Sequence, residues 1–100
     1  MYVYNISFQI DPNQQEPWLQ WMKSKFIPML SSTNIFDDLK FYEIEVMEDQ
    51  APTYTLQLFA NSEEKMKNYQ INLSPSMMEE LQSTWGNQCF HFITTMKIVN

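Results

Sequence analysis

Arginine is absent from this 100-residue chain, and glycine, cysteine and histidine each occur once. Each scarcity closes off a class of function. Phosphate groups are held two-handed by arginine forks, so a chain without them is a poor binder of phosphate-rich ligands. Nucleic acid needs a basic face, and here twelve acids oppose six lysines for a net charge of -6. A lone Cys89 forms no internal disulfide, which suits a reducing compartment. One histidine and one cysteine among scattered acids give no metal-ligand spacing. With a single glycine there is no phosphate-cradling loop, dinucleotide fingerprint or nucleophile elbow. The opening MYVYNISFQI has no basic lead, and no apolar run reaches about 18–20 residues, so neither a signal peptide nor a membrane span is expected. These absences predict a cytoplasmic protein with no cofactor, no nucleic-acid partner and no membrane.

What is present is a core. The chain is 44% hydrophobic and 15% aromatic, enough for one folded domain over residues 1–100. Residues 2–10 alternate, with Tyr2, Tyr4, Ile6, Phe8 and Ile10 on one side, as in a strand with one apolar face. Asn13 and Glu16 have capping-box spacing, and Pro17 belongs near a helix start. Trp18, Leu19, Met22, Phe26, Met29 and Leu30 then share one helical stripe, with Trp21 outside it. Pro28 and SSTN are expected to end that helix. LKFYEIEVME (39–48) and TYTLQLFA (53–60) read as a hairpin. NSEEKMKNYQINL reads as a helix capped by Ser62 or by Asn61 with Glu64. Ser74 and Pro75 restart it as cap and first residue, and Gly86 ends it. Residues 88–99 form a last strand. The order β-α-β-β-α-β is the ferredoxin-like arrangement, an α+β four-stranded antiparallel sheet with helices on one face.

That fold leaves one sheet face uncovered. Val3, Asn5, Ser7 and Gln9 should lie on it, beside Thr55, Gln57 and Phe59. Phe41, Glu43, Glu45 and Met47 are expected from the second strand, and Cys89, His91, Ile93 and Thr95 from the last. This mixture is too apolar for easy solvation, and it predicts a homodimer packed sheet to sheet.

YNISFQID, WLQWMKSKFIP, TYTLQLFA and FHFITTMKIV together resemble a family of short bacterial proteins classed as a domain of unknown function. The most specific run is W-L-x-W-M-K ending in I-P: Trp18, Leu19, Trp21, Met22, Lys23, Ile27 and Pro28. The resemblance implies a ferredoxin-like, dimeric α/β barrel and no established activity. Where the family often carries histidine before I-P, this chain has Phe26. The broader dimeric α/β-barrel group includes cofactor-free monooxygenases, haem-degrading enzymes and stress-responsive proteins.

Chemistry-bearing residues are few. A general base would have to be His91, helped across the sheet by Glu43 or Glu45; without a fixed acid partner it reads instead as an interface residue. Cys89 reads as a small buried hydrophobe. The acidic pairs at 37–38, 63–64 and 79–80 read as solvated faces and helix-dipole partners. Trp18 and Trp85 are expected in the core; Trp21 is expected to be partly buried under Lys25 and the following loop, or else to stand at a pocket edge or interface. The candidate ligand or interface residues are Trp21, His91, Asn5, Gln57, Tyr54 and Trp18, with no ligand assigned. Two functions compete. One is a homodimeric binding or interaction module without catalytic activity. The other is a cofactor-independent monooxygenase-like or isomerase-like enzyme with an apolar pocket between helices and sheet.

Overall fold

A computed structural model describes all residues 1–100. The elements are β1 (Tyr2–Ile10), α1 (Gln15–Trp21), α2 (Ile27–Ser31), β2 (Asp38–Ile44), β3 (Thr53–Ala60), α3 (Glu63–Asn68), α4 (Ser74–Trp85) and β4 (Cys89–Lys97). A π turn, Met22–Phe26, joins α1 to α2, and a second, Tyr69–Leu73, joins α3 to α4. Two continuous helices result, and the order is β-α-β-β-α-β. The sheet runs β2-β3-β1-β4 with every neighbour antiparallel. This is the ferredoxin-like fold.

Neither proline stops its helix. Proline lacks an N–H and its ring collides with the carbonyl four residues back. In both helices the residue ahead of the proline reaches five residues back instead: Ile27 N–H to the Met22 carbonyl, and Ser74 N–H to the Tyr69 carbonyl. The wider turn makes room for Pro28 and Pro75, and each helix continues. The first helix ends at SSTN. The Ser32 and Thr33 hydroxyls donate to the carbonyls of Met29 and Leu30, and Asn34 adopts a left-handed φ of 58°.

Caps differ in part from expectation. Asp11, not Asn13, caps the short turn before α1 by accepting from the Asn13 N–H. Ser62 caps α3 by accepting from the Lys65 N–H at 3.2 Å. Ser74 is helical and its hydroxyl serves the core rather than a cap, 2.6 Å from the Tyr4 hydroxyl. Gly86 closes α4 with φ of 55°, a value glycine tolerates without strain.

Strand register assigns the faces, because cross-strand partners point the same way. Ile6 pairs with Leu56 and Ile93, and Phe8 pairs with Tyr54 and His91. Ile6, Phe8, Leu56 and Leu58 are fully buried under the helices. Apart from Val3, which lies on the open face, the buried apolar side chains of helices and sheet form one continuous cluster. Trp18, Met22, Phe26, Leu30, Met66, Tyr69, Met77 and Leu81 supply the helical half. Trp85 is half-buried rather than buried.

The register overturns two expectations. Phe41 pairs with Leu56, and Glu43 with Tyr54, so both lie on the helix side; Asp38, Lys40, Tyr42 and Ile44 take the open face. Cys89, His91, Ile93 and Thr95 likewise pair with Ile10, Phe8, Ile6 and Tyr4 on the helix side. Phe90, Phe92, Thr94 and Met96 occupy the open face instead. Glu45 and Met47 lie beyond β2, in the connection to β3.

Candidate functional site

The open face has a polar centre and apolar edges. Across its middle run Tyr42, Thr55, Ser7 and Phe92, one residue from each strand in sheet order. Parallel rows are Ile44, Thr53, Gln9 and Phe90 on one side, and Lys40, Gln57, Asn5 and Thr94 on the other. Beyond them lie Asp38, Phe59, Val3 and Met96. Phe90 and Phe92 are 62% and 51% exposed, large values for phenylalanine in a sheet. Their rings lie 6.3 Å apart. Tyr42, Ile44 and Met96 are exposed as well.

The polar centre is bonded within itself. The Thr55 hydroxyl donates to Asn5 Oδ1 at 2.8 Å, and Asn5 Nδ2 donates to the Ser7 hydroxyl at 3.3 Å. Covering these three side chains therefore costs less than covering unpaired ones, while the Gln9 and Gln57 amides are left for water or a partner to satisfy. Asn5 and Gln57, both candidates from the sequence, are direct cross-strand partners here.

The other candidates lie elsewhere. Trp18 and Tyr54 are in the core, their rings 5.1 Å apart, with Phe8 and Phe41 packed on Trp18 at 5.2 and 6.0 Å. The Tyr54 hydroxyl accepts from Gln15 Nε2 at 2.7 Å, so its polar tip is engaged. Trp21 lies against Phe26 and meets Trp85 edge-on at 5.9 Å, bridging the first helix to the second. An ion pair between Lys25 and Glu80, 3.1 Å, fastens the same two helices. The second tryptophan of the W-L-x-W run thus ties helix to helix. The structure divides the six candidates among face, core, helix seam and sheet edge, and forms no single pocket from them.

His91 sits at the β4 edge on the helix side, where burial pushes its imidazole below the ordinary range. Glu43 and Glu45 do not assist it. β2 and β4 are opposite edges of the sheet, three strand spacings or roughly 14 Å apart. Cys89 is buried, and burial pushes its thiol up to about 12. A thiol held protonated this firmly is no nucleophile at neutral pH. The surface hollows are open clefts. One, near His91, is lined by Gln82, Gly86, Asn87, Cys89 and Phe90. Another, between α3 and the end of β4, includes Tyr2, Met66, Lys67, Thr95, Met96 and Lys97.

Sequence reasoning missed Phe90, Phe92, Tyr42 and Ile44 as open-face residues. The available signal was the run CFHFI, in which Phe90 and Phe92 alternate with Cys89, His91 and Ile93; only pairing with β1 shows which set faces out.

Among curated proteins, none matches this sequence. Solved structures resemble it in fold. An ethd (ethyl tert-butyl ether d) family protein from Bacillus halodurans superposes with a TM-score of 0.68 at 11% identity, over 98% of this chain and 100% of that one. A candidate antibiotic biosynthesis monooxygenase from Deinococcus radiodurans gives 0.64 at 10% identity, over 100% and 94%. The de novo designed protein Foldit4 gives 0.61 at 6% identity, over 98% of each chain. A designed chain shares the architecture with natural ones, and fold alone assigns no activity. The family described as a domain of unknown function, DUF4286, matches residues 1–99, and the chain belongs to it.

Proposed function

We propose that this protein is a non-catalytic binding or interaction module of the cytoplasm whose working form is a homodimer, with the open faces of two sheets packed together. One observation carries the reading: exposed Phe90, Phe92, Tyr42, Ile44 and Met96 surround a polar centre already bonded within itself. Apolar side chains gathered on one face of a small domain mark an interaction surface. Within the polar centre, Thr55, Asn5 and Ser7 already bond to one another, which lowers the cost of drying that part of it.

The enzymatic alternative draws on the likeness to a candidate monooxygenase, which is one of fold. That alternative needs an apolar pocket between helices and sheet near Trp18, Trp21, Tyr54 and His91. Trp18, Phe8, Phe41 and Tyr54 fill that space with stacked and tilted rings, and the Tyr54 hydroxyl is taken by Gln15. His91 has no acid beside it to tune or orient it. These features favour the interaction module.

Sedimentation equilibrium at micromolar concentration tests the reading. The expected mass is twice 12.0 kDa. Phe92→Glu places an unpaired charge in the interface and should return the chain to monomer with its circular dichroism unchanged. A monomeric mass for the native chain rejects the proposal.

A further inference from the structure

β4 is an edge of the sheet, and half of its backbone groups are unpaired. Two bonds just beyond the ladder give the phase. The Asp11 N–H donates to the Gln88 carbonyl, and the Ile98 N–H to the Met1 carbonyl, both at 2.9 Å. Each continues the β1–β4 register by one step, and that register runs unbroken from Tyr2–Lys97 to Ile10–Cys89. Bonded pairs alternate along an antiparallel ladder. Phe90, Phe92, Thr94 and Met96 therefore bond to β1, and the N–H and C=O groups of His91, Ile93 and Thr95 point away from it. None of the turn or loop bonds reaches them. Beyond Cys89, every residue of the strand except His91 is exposed.

Proteins blunt their sheet edges with charge, proline, bulges or short strands. The other edge, β2, follows that rule: it is 7 residues long and carries Asp38, Lys40 and Glu43. β4 does not. It is 9 residues long, without proline, glycine or bulge, and its one charge is Lys97 at the very end. So long and uncharged an edge is a template for another strand.

The strand that fits it is β4 itself. A two-fold axis normal to the sheet and passing through Ile93 sets two copies antiparallel with their full lengths paired. Ile93 then opposes Ile93 of the second copy, and His91 opposes Thr95 of the second copy. Each such pair exchanges two hydrogen bonds through the groups left free. Between them, Phe90 meets Met96 of the second copy and Phe92 meets Thr94 of the second copy, in the closer side-chain pairs. No like charges face each other, since Lys97 falls opposite Cys89. The axis also puts both helix layers on one side and both open faces on the other. Phe90 and Phe92 then stand in the middle of a wider apolar strip instead of at its margin.

We propose that the free edge of β4 is a homotypic strand-pairing site, joining two copies of this chain into one continuous antiparallel sheet. The contact lies beside the sheet-to-sheet contact proposed above and does not depend on it. A single ladder is small beside a standard interface, so it forms at higher concentration.

Amide hydrogen exchange read by NMR, in the full chain carrying Tyr42→Glu, tests it. That change spoils packing of the open face at the far edge strand and leaves β4 untouched. In dilute protein the His91, Ile93 and Thr95 amides should exchange freely, while those of Phe90, Phe92 and Thr94 stay protected. Raising the protein from about 10 µM to about 1 mM should slow the first three about tenfold, as the sedimenting mass moves toward twice 12.0 kDa. Ile93→Lys sets two ammonium groups against each other at the axis. Thr95→Pro removes an outward N–H without touching the β1 ladder. Each should abolish the concentration dependence with circular dichroism unchanged. Exchange at these amides that ignores concentration, fast or slow, overturns the inference, and so does a dependence that survives both variants. The sheet-to-sheet dimer is decided separately, by the native mass and by Phe92→Glu.

Discussion

Ile6 and Leu56 pair across β1 and β3 beneath the helices, while Asn5 and Gln57 pair one residue away on the opposite side. The same two strands therefore build two unlike surfaces. On the helix side, apolar side chains are fully buried, and the buried Tyr4 hydroxyl is bonded to Ser74. On the open side the arrangement is reversed, with hydroxyls and amides in the middle and large apolar groups at the rim. A dry centre suits a core sealed by its own chain. A self-bonded polar centre inside an apolar frame suits a surface that must remain soluble until another copy covers it.

The sharpest break between the two faces should come from truncating a ring on each. Trp18→Ala empties a fully buried site ringed by Phe8, Phe41 and Tyr54, and should cost about 3–5 kcal/mol. Urea titration at several protein concentrations measures it, because a dimer of the kind proposed would make stability concentration-dependent. Phe92→Ala, on the open face, should cost the dilute protomer no more than about 0.5 kcal/mol. Similar costs for both would erase the distinction between core and interface.

Ser74→Ala probes the next level. It leaves the buried Tyr4 hydroxyl without its 2.6 Å partner, for a loss of about 1–3 kcal/mol. Burial already raises the Tyr4 phenol above its ordinary range, with the Ser74 bond opposing. Adding Tyr4→Phe removes the orphaned group and should recover most of the loss. A double variant as unstable as Ser74→Ala would show that the serine acts through the helix rather than through Tyr4.

How much of this was legible follows from how one-sided each segment is. β1 and β3 alternate cleanly between apolar and polar, so order, topology and the faces of both strands could be read. β2 and β4 are apolar on both sides: Phe41 and Tyr42 are neighbours, as are Phe92 and Ile93. Period-two reasoning has no purchase on such strands, and the phase is settled by pairing, Cys89 to Ile10 and Leu39 to Leu58. The open face was thus foreseen, but filled with the wrong members of its edge strands. Pro28 misled in another way. Proline normally stops a helix, and the π turn that accommodates it depends on packing of the whole helix rather than on local preference.

The smallest expected effect lies at the boundary between the two surfaces. His91 is on the helix side, but at an edge strand the helices only partly cover. Burial lowers its pKa, so the unfolded chain binds the proton more readily than the folded one. Stability from this group is therefore complete above the unfolded value of about 6.5 and declines as pH falls through the window below it. Cys89, two residues away, stays neutral throughout with its thiol near 12. The change should be a fraction of what Ser74→Ala costs, because the ring is partly in water. Melting His91→Gln beside the native chain from pH 7.5 to 5 isolates it: the difference between the two should shrink or change sign toward acid. A difference that is constant with pH would mean the imidazole is as well solvated folded as unfolded, and would move His91 from the covered surface to the open one.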